Sequence, residues 1–184
     1  MSHIAVFLAT GFEEIEALTV VDVCRRAEIA LDMVAIGDDL QVMGSHDITV
    51  EADKGIAAVD FDVLDAIVLP GGPGHKNLEA CEALMEQVRA FDKAGRRICA
   101  ICAAPGILAR AGLLKGRRAV SHPTAEADLT ANGAVLLKEE TVWDGHILTG
   151  RGMGTAMAFA LAIAEALAGK EKAQAIADGI VYRA

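Results

Sequence analysis

Cys102 is the residue whose surroundings most clearly predict chemistry. It follows an aliphatic run at residues 98–101 and precedes four small residues, AAPG. Small residues allow a sharp turn out of a strand, and a proline suits the first turn of the helix that follows. Backbone N–H groups and the positive dipole end at a helix start lower the pKa of a nearby thiol. The sequence therefore predicts a reactive thiolate on a strand-to-helix turn, a nucleophile elbow with cysteine in place of serine.

Three acidic residues, Glu13, Glu14 and Glu16, stand near the start of the first predicted helix. Acids at this position ordinarily complement the helix dipole, which accounts for Glu13 and Glu14. Apolar residues follow Glu16 at spacings of four, seven and eleven, so it lies on the apolar face. A buried carboxyl has a raised pKa and can donate a hydrogen bond to a thiolate or act as a general acid or base. Glu13 remains an alternative for that role.

Two other loops follow predicted strands. The PGGPG stretch at residues 70–74 lacks the P-loop lysine spacing and the G-x-G-x-x-G pattern, which disfavours a phosphate site. Its backbone N–H groups could instead stabilise an oxyanion beside Cys102. His122 ends another predicted strand and could act as a base near the thiol.

A different interpretation pairs Cys99 with Cys102 as a redox couple or half of a zinc site. Side chains three apart on a strand point to opposite faces, and no second Cys or His pair follows at ligand spacing. This interpretation is therefore disfavoured, and Cys24, Cys81 and Cys99 are predicted to pack in the core. Reduced thiols are expected, because the N-terminal residues read as a first strand rather than a secretion signal.

Apolar periodicity predicts alternating strands and helices. Strands are predicted at residues 3–9, 31–36, 66–69, 98–101 and 118–121, and helices at 14–28, 77–93, 105–111, 124–131, 153–168 and 170–181. Short strands within residues 41–56 are predicted to extend the sheet. The Asp144–Gly145 pair predicts a hairpin between residues 135–143 and 146–149.

This alternation predicts an α/β fold with a mostly parallel central sheet and helices on both faces. Ligands bind such sheets at the carboxyl ends of the strands. The loops at residues 10–16, 70–75 and 102–106 all follow strands, so we expect them to meet at that edge.

Composition limits the classes of function. The 184 residues are 53% hydrophobic and only 4% aromatic, which suits one domain, residues 1–184, with aliphatic buried strands. The net charge of −9, without a basic run, disfavours nucleic acid as a partner. The apolar stretch at residues 153–168 is shorter than the roughly 20 residues of a membrane span. A cytoplasmic protein without a membrane anchor is predicted.

Five segments taken together resemble a known family. They are G-x-E-E-x-E at residues 11–16, LPGG at 69–72, AICAAP at 100–105, HP at 122–123 and L-T-x-R-G-x-G-T at 148–155. In this order, and over nearly the whole chain, they resemble the ThiJ/PfpI superfamily, within it the parkinsonism-associated deglycase (DJ-one) branch. The resemblance implies a flavodoxin-like three-layer sandwich, a homodimer, and chemistry without a cofactor or metal.

The resemblance also implies roles for individual residues. Cys102 would be the nucleophile, Glu16 a protonated carboxyl in contact with its sulfur, and His122 the histidine of the site, while the backbone of Gly72 and Ala103 would supply oxyanion donors. The implied activity is that of a glutathione-independent glyoxalase, or a deglycase, acting on small 2-oxoaldehydes. The alternative is an oxidative-stress sensor or redox-regulated chaperone in which Cys102 is oxidised to a sulfinic acid.

The chain departs from related branches at several positions. Ala103 stands where the protease and large chaperone branches carry histidine, and no His-x-Glu of the glutamine amidotransferases follows. A Cys-His protease dyad and a glutamine amidotransferase are therefore disfavoured. His46 stands where relatives often have an arginine, and Met153 stands where they have the proline of Gly-Pro-Gly. The anion-binding edge of the pocket is expected to differ accordingly.

Overall fold

The computed structural model describes residues 2–182 and is built around eleven strands and seven α-helices joined by short turns. The strands are β1 (His3–Leu8), β2 (Ala30–Ala35), β3 (Gln41–Met43), β4 (Thr49–Glu51), β5 (Lys54–Gly55), β6 (Ala66–Leu69), β7 (Arg97–Ile101), β8 (Arg118–Ala119), β9 (Val135–Leu136), β10 (Thr141–Asp144) and β11 (Ile147–Gly150). The helices are α1 (Glu14–Arg26), α2 (His75–Ala80), α3 (Glu82–Ala94), α4 (Pro105–Arg110), α5 (Glu126–Ala131), α6 (Ala156–Ala168) and α7 (Lys170–Gly179).

Seven strands form one sheet in the order β10-β11-β7-β6-β1-β2-β5. Every pair in it is parallel except β10 with β11, which form an antiparallel hairpin at one edge. The α/β class and the mostly parallel sheet are thereby confirmed. Because β1, β6 and β7 are neighbours at the centre, the loops that follow them leave the sheet side by side.

The two faces of β1 separate the core into two clusters. Ile4, Val6 and Leu8 pack into a cluster with α1 and α6, while Ala5 and Phe7 pack into another with α3 and α4. All five side chains are fully buried. Helices therefore cover both faces of the sheet in three layers. Within residues 2–182, no helix combines the length and apolar character needed to cross a membrane.

Two strand predictions are wrong in detail. β3 and β4 form a separate two-stranded antiparallel sheet, and of the segment 41–56 only β5 extends the main sheet, beside β2. The hairpin partner of β11 begins at Thr141, because β9 pairs in parallel with β8 instead. Alternation identifies extended segments, but it does not identify the strand with which each one pairs.

The single helix predicted over residues 77–93 is two helices. Cys81 adopts an extended conformation with φ −79° and ψ 94°, which ends α2 and begins α3. Leu78 before the break and Leu84 after it face the same core cluster. The apolar period therefore continues across the break and does not reveal it. Cys81 is half-buried rather than a core residue.

Gly150, the last residue of β11, supports the Cys102 turn. Its carbonyl accepts the Cys102 N–H at 3.0 Å. A Cβ at this position would lie 2.7 Å from the Phe159 ring and 3.0 Å from the Ile101 side chain. The packing of α6 against the sheet therefore requires glycine here.

Gly150→Ala is expected to lower the free energy of unfolding by about 1–3 kcal/mol, because the added methyl group overpacks the core. Urea denaturation measures this change. A Cβ added at Gly154 would have no atom within 4 Å, so Gly154→Ala serves as the control and should change stability by no more than about 0.5 kcal/mol. Equal losses in the two variants would contradict this account.

Candidate active site

Cys102 lies immediately after β7 in a left-handed conformation, with φ 66°. Such a conformation is unfavourable for a residue with a side chain and is held by its surroundings. The Cys102 N–H donates to Gly150, and the Cys102 carbonyl accepts the N–H of His122 at 2.8 Å. The half-buried thiol thus stands on a sharp turn between β7 and α4, as an elbow requires.

Glu16 approaches Cys102 from α1. It is fully buried, as its place on the apolar face predicts, and its Oε2 accepts the backbone N–H of Gly71 at 2.8 Å. Its Oε1 is buried and has no hydrogen-bond partner among residues 2–182. A Cβ added at Gly71 would lie 2.6 Å from Cys102 Cβ, 2.8 Å from Glu16 Oε2 and 3.0 Å from Cys102 Sγ. Carboxyl and thiol can meet only because residue 71 has no side chain.

Burial governs the ionisation of both groups. It raises the pKa of Glu16 to about 7, although the Gly71 N–H and the nearby Cys102 thiol act in the opposite direction. Burial also raises the pKa of Cys102 to about 12, and the charge of the Glu16 carboxylate adds to this rise. The prediction that the turn lowers the pKa of the thiol is therefore wrong beside an ionised Glu16. The N–H groups of Gly72 and Ala103 lower the Cys102 pKa, but burial outweighs them.

Between these two pKa values the pair retains one proton. When the proton is on sulfur, Glu16 is ionised and repels formation of the thiolate. When the proton is on Glu16, the carboxyl is neutral and can donate a hydrogen bond to the sulfur anion. A thiolate beside a neutral Glu16 would form by transfer of the Cys102 proton to that carboxyl.

Backbone contacts hold the loops around the sulfur. The Glu13 N–H donates to the Gly71 carbonyl at 3.0 Å, and the Gly74 N–H donates to the Gly11 carbonyl at 2.8 Å. Gly72 has φ 80°, and the backbone N–H groups of Gly72 and Ala103 lie near enough to Cys102 to lower the pKa of its thiol. The three loops that the topology was expected to bring together do meet.

His122 contacts Cys102 through its backbone. Its ring Nδ1 accepts the Thr124 N–H at 3.4 Å and lies 2.9 Å from Thr124 Oγ1. Within the described part of the chain, the imidazole makes no hydrogen bond to the Cys102 sulfur. The catalytic role predicted for His122 therefore stays a prediction, with Thr124 as the partner of its ring.

Glu13 and Glu14 face away from the thiol, toward the β3–β4 hairpin. The Ser45 hydroxyl lies 3.3 Å from Glu13 Oε2 and 3.1 Å from Glu14 Oε2, and His46 Nδ1 lies 2.9 Å from Glu14 Oε2. Burial by itself raises the pKa of Glu14, but hydrogen bonds from the His46 ring and backbone outweigh it and lower the pKa to about 2. His46 therefore interacts with these acids, while Met153 is half exposed after Gly152.

The remaining thiols lie apart from this arrangement, and all four cysteines are free. Cys99 is fully buried, and burial raises its pKa. Cys99 and Cys102 are predicted to point to opposite faces, and this prediction is wrong. Cys102 lies beyond the end of the strand, and both side chains pack in the core cluster under α1. Cys24 belongs to that cluster too, as predicted.

A cavity of about 530 Å³ adjoins the cysteine turn. It is lined by Ala103, His75 and Thr124, and also by Arg110, which forms ion pairs with Glu79 and with an aspartate of α5. Ala103 follows Cys102 directly, so the cavity borders the turn that carries the thiol.

Comparison with known proteins identifies the family. The profile of the DJ-1/PfpI family matches residues 2–166. The chain belongs to the DJ-1/PfpI family. Protein dj-1beta of Drosophila melanogaster is 40% identical over 177 residues, which cover 96% of this chain and 95% of that protein. The crystal structure of Drosophila melanogaster DJ-1beta superimposes with a TM-score of 0.95 at 37% identity and covers 100% of both chains.

A further relative in the DJ-1/PfpI family is the glutathione-independent glyoxalase DJR-1.2 of Caenorhabditis elegans. It is 32% identical over 165 residues, which cover 89% of this chain and 87% of that protein. Similarity over almost the full length places the chain in the DJ-1 branch, as its five segments predict.

Two contacts of this DJ-1 family member were not expected from its sequence. Gly71 lets Glu16 reach the sulfur, and the ring of His75 donates through Nδ1 to the Gly72 carbonyl at 2.8 Å. The second contact fixes the peptide that follows Gly72. A run of glycines signals a close backbone approach, but it does not say which glycine faces the thiol.

Cys102→Gly is expected to be more stable than Cys102→Ala by about 1 kcal/mol, because glycine adopts the left-handed conformation without strain. Both substitutions remove the sulfur, so their difference reports the backbone. Chemical denaturation of the two variants measures it. An alanine variant as stable as the glycine variant would show that the turn is unstrained.

The burial of Glu16 predicts a pH-dependent stability. With its pKa raised from 4.5 to about 7, the folded protein holds a proton that the unfolded chain has released between these pH values. This stabilisation is fully present below pH 4.5 and is lost as the pH rises to about 7. The loss amounts to about 3 kcal/mol at 1.36 kcal/mol per pKa unit.

Glu16→Gln should remove that part of the pH dependence. Urea unfolding at several pH values across this window compares wild type and variant, with Glu86→Gln on the exposed face of α3 as the control. Parallel stability curves for wild type and Glu16→Gln would refute a raised pKa at Glu16.

Proposed function

We propose that this protein is a glutathione-independent glyoxalase that converts small 2-oxoaldehydes such as methylglyoxal into 2-hydroxy acids. The proposal rests on the position of the Glu16 carboxyl, which lies beside the Cys102 sulfur across Gly71. This contact supports a mechanism in which the carboxyl carries protons for the thiol. The name of the Caenorhabditis elegans relative supports the same activity.

The reaction follows from the shared proton. The Cys102 sulfur adds to the aldehyde carbon, and the proton held by the pair passes to the aldehyde oxygen, which gives a hemithioacetal. The Glu16 carboxylate then removes the hydrogen from that carbon and returns it to the neighbouring carbonyl carbon, while the hydroxyl proton passes from the oxygen of the first carbon to that of the second. The product is a 2-hydroxyacyl thioester. Water hydrolyses it to the hydroxy acid and restores the thiol.

The backbone N–H groups of Gly72 and Ala103 contribute to the same steps. Both lower the pKa of the Cys102 thiol, so they favour negative charge at the sulfur and next to it. An oxygen bound to that carbon develops negative charge when the thioester is attacked by water, and preorganised N–H donors stabilise such charge. We assign Glu16 rather than His122 to the proton transfer between carbons, because the His122 ring is hydrogen-bonded to Thr124.

The second candidate function is oxidation sensing at Cys102. The two N–H groups at the sulfur are suited to hold the oxygens of a sulfinic acid, and Glu16 could donate to one of them. This role uses the same thiolate, so it predicts selective oxidation of Cys102 by peroxide. Intact-mass measurement would then show a gain of two oxygens in wild type and in Cys24→Ala, but not in Cys102→Ala.

We further propose a homodimer. Exposed aliphatic side chains on two contacting elements support it, namely Ile15 at the start of α1 and Met43 and Ile48 around the β3–β4 hairpin, each about half exposed. Apolar surface of this kind is stabilised when a second copy covers it.

Wild type is expected to form lactate from methylglyoxal without glutathione, and Cys102→Ala is expected to form none. Glu16→Gln should reduce the rate by about 10²-fold or more, the usual contribution of a positioned proton carrier. Enzymatic determination of lactate measures all three. Cys24→Ala, which removes a buried thiol elsewhere in the core, is the control and should retain activity.

Lactate formation in Cys102→Ala at the wild-type rate would refute the glyoxalase. Full activity in Glu16→Gln would instead refute the assignment of the proton carrier, and His122→Gln would then be the variant to test.

A further inference from the structure

A compact group of metal-binding side chains lies apart from Cys102, between α1 and the β3–β4 hairpin. Glu13, Glu14 and His46 each offer one ligand atom, and these atoms lie within 4.8 Å of one another. His46 Nδ1 is 2.9 Å from Glu14 Oε2 and 3.7 Å from Glu13 Oε1. Ligands around a tetrahedral zinc ion, each bound at about 2.1 Å, are separated by about 3.4 Å. The three donors therefore need only small movements to bind one ion.

The carboxylates of this group carry more negative charge than their surroundings balance. Glu13 is 7% exposed and Glu14 is 4% exposed. Among residues 2–182, His46 is the only cationic residue that pairs with either of them. Buried charges are ordinarily paired or bound to a metal. One imidazolium cannot neutralise two carboxylates, whereas a divalent cation can.

The Glu13 carboxylate shares its hydrogen-bond donor with other acceptors. Within the described chain, its carboxylate has one donor in reach, the Ser45 hydroxyl at 3.3 Å. That hydroxyl has a single proton, and it lies closer to Glu14 Oε2, at 3.1 Å, and to His46 Nδ1, at 2.9 Å. A carboxylate more than nine-tenths buried is thus directed into the group with its lone pairs largely unused.

Glu14, by contrast, is fixed in place. Its Oε1 accepts the backbone N–H of His46 at 2.7 Å, and its Oε2 faces the His46 ring. A side chain at Gly44 would collide with the Glu14 carboxylate, so glycine there lets the hairpin close over it. In the single chain the ring of His46 is two-thirds exposed. The ligands are thus preorganised, and an ion can reach them in a chain whose hairpin is not covered by a second copy.

We propose that Glu13, Glu14 and His46 form a binding site for a divalent transition-metal ion of the zinc class. One imidazole with two carboxylates suits zinc and its neighbours better than calcium or magnesium, which prefer oxygen ligands alone. Water or the Ser45 hydroxyl completes the coordination. The ion replaces the His46 proton as the positive charge of the group, and that proton is released to solvent on binding.

The test is calorimetric titration of Zn²⁺ into untagged, chelator-treated protein. Cys102→Ala is used as the parent, so that the thiol of the candidate active site cannot bind the ion. One ion per chain is expected. In the same background, His46→Arg keeps a cation beside the two acids but removes the ligand nitrogen, and it should weaken binding by at least about 10-fold. Glu13→Gln should weaken it similarly.

Matched controls separate this site from general surface binding. His146→Gln alters a histidine paired with Asp92, and Glu86→Gln alters an exposed acid of α3. Both should leave the affinity unchanged, and circular dichroism verifies that every variant is folded. No binding to the parent, or equal binding by the parent, His46→Arg and Glu13→Gln, would overturn the proposal.

Discussion

The contact between Glu16 and Cys102 across Gly71 is the constraint on which the rest of the site depends. A carboxyl from α1 and a thiol from the β7 turn approach the same peptide, and any side chain on that peptide would separate them. The parallel sheet makes the approach possible, because β1, β6 and β7 are neighbours whose carboxyl ends share one edge. The left-handed conformation of Cys102 then turns its sulfur toward the gap. The parallel sheet, the turn at Cys102 and the absence of a side chain at Gly71 together allow the carboxyl and the thiol to meet.

The acids at the start of α1 have different roles because their surroundings differ. Glu16 has one backbone donor and one unpartnered oxygen in an apolar layer, so its pKa is raised to about 7 and it can exchange a proton with the thiol. Glu14 receives hydrogen bonds from His46 and Ser45, so its pKa is lowered to about 2 and it remains ionised. Within a few residues, the pKa of the same side-chain type is thus raised at one position and lowered at another.

Much of this arrangement was predictable from the sequence. The alternating apolar runs predicted the α/β sheet, and the place of Glu16 on the apolar face of α1 predicted its burial. The raised pKa of Cys102 was not predictable, since local sequence shows the helix start but not how deeply the thiol is buried. The position of the His122 ring depends on its contact with Thr124, which no spacing rule indicates. The separate β3–β4 hairpin was also missed, because alternation does not specify strand partners.

If Cys102 and Glu16 share one proton, the rate at which iodoacetamide alkylates Cys102 must depend on the titration of both groups. In wild type the rate should rise in two steps, near the apparent pKa values of about 7 and about 12 that belong to the pair. In Glu16→Gln the amide cannot take up the thiol proton, so a single step is predicted. Superimposable profiles for the two proteins would contradict the account.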